Sequence, residues 1–291
     1  LEGGPSNNRV QNNLIGTNTN GGPLGNGDTG VRLSSSGNGN RILSNSIFAN
    51  GALGIDLGPG GVTPNDLDDP DTGPNNLQNF PVLTSATTLA GTTTVLGSLN
   101  STPNRTFTLQ FFSNPSGEEG KTFRFQRNVT TNANGNDSFT FAVPEAVAAG
   151  QTVTASATDA QGNTSEFSAP ETVADGTPPA VSRVVPANDA TGVSPAANVL
   201  AVFSESMRPA SLNTTTFRLR KAGATAGVAA RVTYDSAARR ATLDPNANLQ
   251  PGTTYVATVT PRARDEAGNQ LDQDPNAAGN QGRIWRFTVR R

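Results

Sequence analysis

The 291-residue chain contains no cysteine and no histidine. The first absence excludes disulfides and thiolate metal sites. The second removes imidazole general bases, Ser-His-Asp triads and His-ligated zinc. Oxygen donors remain plentiful, so a hard cation such as Ca²⁺ is the one metal the composition favours. Aromatic residues number only 16, with a single Trp, and an apolar content of 34% is low for one large compact core. No apolar run reaches the ~18 residues that would mark a membrane-spanning helix. Net charge is only -2, but residues 1–174 carry 14 acidic and 7 basic side chains, whereas residues 175–291 carry 9 and 14. The basic C-terminal part reads either as solvated surface or as a contact face for an anionic glycan or envelope polymer. What the chain has in abundance is turn chemistry. Its 31 Gly and 20 Pro, set among many Asn, Thr and Ser, suit all-β modules.

Two short patterns repeat near the start. Residues 7–16 and 39–48 share the form N-R-[VI]-x-x-N-x-[LI], with Asn18 and Asn50 at equivalent places. Gly30-Val31-Arg32-Leu33 returns as Gly54-Ile55-Asp56-Leu57. Short alternating strands separated by Asn and Gly at this period predict a parallel β-helix, with Val, Ile and Leu inward and Asn laddered at the turns. Thr17–Thr29 reads as a loop excursion. The repeats resemble those of pectate-lyase-like and surface proteins, and cover about 70 residues. Stacking Val31 on Ile55 and Leu33 on Leu57 turns Arg32 and Asp56 outward on neighbouring rungs. The resemblance implies that such residues serve a lyase as base and Ca²⁺ ligand; an exposed cross-rung ion pair worth under ~1 kcal/mol is the simpler reading. Two windings bury little, so further ones are expected before Leu1, with the chain the C-terminal piece of a longer precursor.

Residues 56–83 are too rich in Gly, Pro, Asp and Asn to continue a packed ladder. They resemble the exit segment between β-helix and Ig-like module in bacterial surface proteins. Asp66, Asp68, Asp69 and Asp71 crowd together here, which solvation or a structural Ca²⁺ would relieve.

From Thr93 the apolar period becomes two, as in Phe107–Phe111 and Ser138–Val143, which predicts half-buried strands. Asn132–Asn136 reads as a hairpin turn, and Thr164–Ser168 as the segment closing the sheet. Two D-x-x-G-N turns, at 159–163 and 265–269, lie about a hundred residues apart, which is one sandwich's length. Asp159, Asn163, Asp265 and Asn269 are weaker candidate calcium ligands, since turn geometry alone accounts for them. Residues 84–174 resemble the Ig-like module that follows β-helix regions in bacterial surface proteins. Asp175-Gly176-Thr177-Pro178-Pro179 reads as a stiff linker. Beyond it, Phe203-Ser204-Glu205-Ser206-Met207, Leu249–Tyr255 and Trp285-Arg286-Phe287-Thr288-Val289 resemble the bacterial Ig-like family of surface-layer and adhesion proteins. Alternation there points Trp285 inward and Arg218, Arg220, Arg286 and Arg290 outward.

The expected architecture is all-β: a short parallel β-helix remnant (1–83) followed by two Ig-like β-sandwiches (84–174 and 175–291). The resemblances imply a non-catalytic spacer or adhesive segment of a secreted or cell-surface protein, facing an extracellular glycan or protein and no nucleic acid. Two alternatives stand beside it. One is the accessory C-terminal part of a polysaccharide lyase or hydrolase; the other is a glycan-binding module on the basic face, which lacks obvious aromatics for sugar stacking.

Overall fold

The computed structural model describes residues 3–58 and 60–291. Leu1 and Glu2, which open the chain, and Pro59, in the exit segment, lie outside the described residues. Among those described, the regular elements are strands, apart from single 3-10 turns at Pro74–Leu77 and Pro209–Ser211. Among the described residues no helix is long and apolar enough to cross a membrane. The chain folds as two compact units, one ending at Asp175 and the other beginning at Gly176.

The first unit opens with Arg9–Gln11 (β1), Leu14–Ile15 (β2), Val31–Leu33 (β3), Arg41–Leu43 (β4), Ser46–Ile47 (β5) and Ile55–Leu57 (β6). They pair in parallel across two windings of chain: β1 with β4, β2 with β5 and β3 with β6. Arg9 stands opposite Arg41, Leu14 opposite Ser46 and Arg32 opposite Asp56. Ile42, Ile47, Ile55, Leu33 and Leu57 are buried between the faces. Asparagines hold the corners. Asn8 Nδ2 donates to Asn40 Oδ1 at 2.8 Å, and Asn40 N to Asn75 Oδ1 at 2.9 Å. Asn13 Nδ2 donates to Asn45 Oδ1 at 3.1 Å. Asn50 does not pair with Asn18, as the repeat predicts, but accepts from Asn26 Nδ2 at 3.0 Å. The excursion is inserted ahead of the ladder position, and Asn18 instead closes its own turn by accepting from Asn20 N and Gly22 N. Gly16 has φ +82°, and a Cβ there would fall 2.1 Å from Phe48 O, so only glycine fits between the rungs.

The same unit continues with Val82–Leu89 (β7), Thr92–Asn100 (β8), Thr106–Asn114 (β9), Thr122–Thr130 (β10), Asn136–Val143 (β11), Thr152–Thr158 (β12) and Glu171–Asp175 (β13). Their order is β10-β9-β12-β13-β7-β8-β11. β13 joins the two halves, pairing antiparallel with β12 and in parallel with β7. Asn132–Asn136 is a tight turn, but not a hairpin: β10 pairs with β9 and β11 with β8. Closure also differs from expectation. Residues 164–168 form no strand, and β13 closes the sheet. Phenylalanines fill the core, with Phe111 stacked on Phe125 at 4.6 Å and edge-on to Phe139 at 5.7 Å.

The second unit comprises Val181–Val185 (β14), Ala190–Val193 (β15), Val199–Phe203 (β16), Phe217–Lys221 (β17), Ala230–Asp235 (β18), Arg240–Pro245 (β19), Thr254–Val259 (β20) and Arg283–Val289 (β21). Two four-stranded sheets, β14-β16-β19-β18 and β15-β21-β20-β17, enclose one core. Trp285, Phe217, Phe287 and Tyr255 are buried in it, whereas Arg218, Arg220, Arg286 and Arg290 are exposed. Strict alternation therefore decides both inside and outside here.

Candidate functional sites

The acidic turn lies between the last winding and β7. Asp66, Asp69 and Asp71 each bring a carboxylate oxygen within 4.8 Å of the others. Asp68 falls outside this group; its N–H donates to Asn100 Oδ1 at 2.9 Å. Consecutive positive φ angles at Asp68 (63°) and Asp69 (57°) make the reversal. Asp69 accepts from Ser101 Oγ, from Gln78 Nε2 at 2.6 Å and from Asn79 N at 3.2 Å. Burial pushes its carboxyl up to about 6, against the pull of the Ser101 and Asn79 bonds, and Asp71 and Asp66 add to the rise. Asp71 is raised as well, by burial and then by Asp66. Oδ1 of Asp66 and Oδ1 of Asp71 are buried without a hydrogen-bond partner. Such a cluster invites a proton or a hard cation. Its all-oxygen donors suit Ca²⁺, which takes about 6–8 oxygens, so carbonyls and water would complete the shell.

The raised carboxyl has a pH signature. Because folding raises Asp69 above its unfolded value, the folded state binds the extra proton between about pH 4 and about pH 6, and stability falls as pH rises through that window. Urea unfolding in chelator is therefore expected to show the first unit losing stability across this window. Asp69→Asn, which mimics the protonated group, should flatten that slope. An unchanged slope in the variant would contradict the assignment.

The two D-x-x-G-N turns are near copies. Asp159 Oδ1 accepts from Gly162 N and Asn163 N at 2.7 and 2.8 Å, and its Oδ2 from Asn163 Nδ2 at 2.7 Å. Asp265 accepts from Gly268 N, Asn269 N and Asn269 Nδ2 at 2.6, 2.7 and 2.8 Å. Both carboxylates thus serve their own turns.

The stretch after the first of these turns does something the sequence did not signal. Asn163 Oδ1 accepts from Gly39 N at 2.7 Å, Thr164 Oγ1 from Ile42 N at 3.0 Å, and Glu166 Oε1 from Leu57 N at 2.9 Å. Gln110 Oε1 accepts from Ser44 N at 2.8 Å, and Gly120 exchanges two 2.9 Å backbone bonds with Ile47. The sandwich therefore supplies the hydrogen bonds that another winding would supply. Phe112 and Phe167 complete the apolar filling below Leu33, Ile42, Ile47, Ile55 and Leu57. Glu166 also accepts from Thr63 N at 2.9 Å, and burial raises its carboxyl despite these bonds. The only local hint was an apolar Phe167 among polar neighbours.

Arg32 and Asp56 are paired across rungs as the repeat predicts, with Arg32 Nη2 3.3 Å from Asp56 Oδ2. Asp56 is not an outward, solvated ligand, however: it is 2% exposed, and burial raises its carboxyl against the pull of Arg32. Residues 117–119 and Gly60 wall the depression it lines. Asp28 Oδ2 also lies 3.1 Å from Arg32, at Nη1.

On the second unit, β17 and β21 flank β20 in one sheet. Arg220 stands opposite Val256 and Val256 opposite Arg286; Arg218 stands opposite Thr258 and Thr258 opposite Ile284. The arginines of the two expected runs therefore share one outer face.

Two four-stranded sheets around a single core define the second unit as an immunoglobulin-like sandwich in an all-β chain. The family described as bacterial Ig-like domain matches residues 175–289, less than half of the chain. No curated protein matches. Among solved structures, the N-terminal part of the bacterial S-layer protein SbsC aligns at 17% identity over 39% of this chain and 24% of that one, with a TM-score of 0.29. A titin fragment aligns at 10% identity over 72% of this chain and 97% of its own, with a TM-score of 0.32. Dimeric latent PorU from Porphyromonas gingivalis aligns at 15% identity over 72% of this chain and 22% of its own, with a TM-score of 0.25. The chain thus spans about a quarter or less of the S-layer and PorU chains. The Ig-like assignment fits a structural or interaction module.

Proposed function

We propose that this chain is a non-catalytic structural segment of a secreted or cell-surface protein, in which the closing windings of a right-handed parallel β-helix pass into two Ig-like spacer or interaction modules. The observation that carries this reading is the junction of the windings with the first sandwich. Backbone donors at Gly39, Ile42, Ser44, Ile47 and Leu57 are all answered by that sandwich. A segment built to transmit load needs such a joint, because force applied to the windings then passes through a hydrogen-bonded and apolar seam. Pulling the chain by its ends in a single-molecule experiment should give two unfolding events, one from residues 176–291 and one releasing the windings together with the first sandwich. If the windings peel away separately at low force, the load-bearing reading fails.

On this reading Asp66, Asp69 and Asp71 hold a structural Ca²⁺ in the turn between the last winding and β7, supported by their convergence and by the two unanswered buried oxygens. An ion bound only by the folded state at about 100 times its Kd stabilises by roughly 2.7 kcal/mol. Thermal unfolding in excess Ca²⁺ should therefore shift upward relative to chelator, and the shift should vanish in the Asp66→Asn/Asp69→Asn/Asp71→Asn variant. Equal midpoints at saturating Ca²⁺ would sink the ion site and leave the junction intact.

A further inference from the structure

We infer that the outer face of β17 and β20 is a binding groove for a carboxylate-bearing polysaccharide. Arg218 and Arg220 alternate outward on β17, and Arg262 follows β20 at the end of the sheet where Phe217 stands opposite Val259. Together with Thr214, Thr215 and Thr258 they line an open groove of about 700 Å³, whose lining contains no carboxylate. Two other arginines of this unit are paired with carboxylates: Arg286 lies 2.9 Å from Asp189 and Arg240 3.4 Å from Asp235. Among the described residues Arg218 and Arg262 have no ion pair, and Arg220 spends one N–H on Ala224 O at 3.0 Å. Their remaining guanidinium donors face solvent in a concave, anion-free setting.

The chemistry of the lining selects the ligand. A guanidinium fork matches a carboxylate with two parallel hydrogen bonds. Arg218 and Arg220, two residues apart on one strand face, sit roughly 6.6 Å apart along the strand, which suits successive charges of a polymer better than one small anion. Threonine hydroxyls donate to and accept from sugar hydroxyls. No aromatic side chain lines the groove, so it offers no stacking platform for nucleobases or for neutral sugars. This site goes beyond the spacer reading and stands apart from it, since none of these residues takes part in the junction or the acidic turn.

Titration of the full chain with polygalacturonate, followed by calorimetry at low ionic strength, tests the assignment. Saturable binding that weakens as salt is added is expected. The Arg218→Gln/Arg220→Gln/Arg262→Gln variant should lose about tenfold or more in affinity, the sum of three exposed charge contacts. Arg231→Gln/Arg240→Gln, on β18 and β19 of the other sheet, should bind as the parent does. Arg218→Lys/Arg220→Lys/Arg262→Lys keeps charge and fold but loses the fork, and should fall between parent and glutamine variant. Absence of binding at low salt, or equal binding by parent and glutamine variant, would overturn the proposal. So would poly-glutamate or single-stranded DNA binding as tightly and losing affinity on the same substitutions, because the groove would then be a general polyanion surface.

Discussion

Replacing Phe167 by alanine is expected to destabilise the first unit by about 3–5 kcal/mol. The ring is 8% exposed, meets Phe112 edge-on at 5.2 Å, and belongs to the apolar cluster that includes Leu33, Ile42, Ile47, Ile55 and Leu57. Its surroundings cannot readily collapse into the space it leaves. Two of its neighbours are backbone at Gly54 and Gly120, where even a Cβ would stand 2.8 and 2.4 Å from the ring. Both approaches are fixed by strand hydrogen bonds, at Val31 N to Gly54 O and between Gly120 and Ile47. Urea unfolding combined with amide exchange is the measurement. Protection should fall together at Ile42, Ile47 and Leu57 in the windings and along β9 and β12 in the sandwich, while the second unit keeps its exchange rates. Loss confined to the windings, with β9 and β12 unaffected, would show that the seam does not couple the two.

A loss of similar size is expected in the second unit for Trp285→Ala, about 3–5 kcal/mol. Trp285 is 1% exposed, lies 5.9 Å from the ring of Phe217, and sits opposite Ala257 in the middle of the β20–β21 pair. Its indole nitrogen is buried with no hydrogen-bond partner. That unanswered donor costs roughly 1–3 kcal/mol, so Trp285→Phe, which deletes it while keeping an aromatic ring, should cost much less than the alanine change. Calorimetry on both variants should shift one transition and leave the first unit's in place. A phenylalanine variant as unstable as the alanine one would mean that the indole nitrogen is answered, by a water or a partner group.

The sequence made some of this legible for a definable reason. Laddered rungs require like residues at equivalent corners, so N-R-[VI]-x-x-N exposes the pairing of Arg9 with Arg41 and of Leu14 with Ser46. Period-two alternation likewise settles the inward Trp285 and the outward Arg218 and Arg220. Contacts between distant segments left no such trace. Thr164 and Ile42 are 122 residues apart, and nothing in either stretch announces that a hydroxyl on one meets an amide on the other. The repeat makes the pairing of Asp56 with Arg32 legible but not its burial, because residues 117–119 and Gly60 wall the side its rung faces. The repeat places Asn50 with Asn18, but the inserted excursion makes Asn26 its ladder partner. In the acidic turn, sequence crowding marks four aspartates, of which the structure brings Asp66, Asp69 and Asp71 together and leaves Asp68 outside; the positive φ angles at Asp68 and Asp69 that shape the turn belong to the backbone alone.

The seam also bears on how the chain is made. An uncovered rung is a strip of unpaired backbone that a neighbouring chain can extend. Ile55–Leu57 leave the ribosome well before Glu166 and Phe167, and at ~5–20 residues per second the interval is roughly 5–20 s. During that time the backbone donors of this rung have no partner from the first sandwich. Once residues 163–167 have emerged and bonded to it, that end becomes an interior surface with its backbone donors answered.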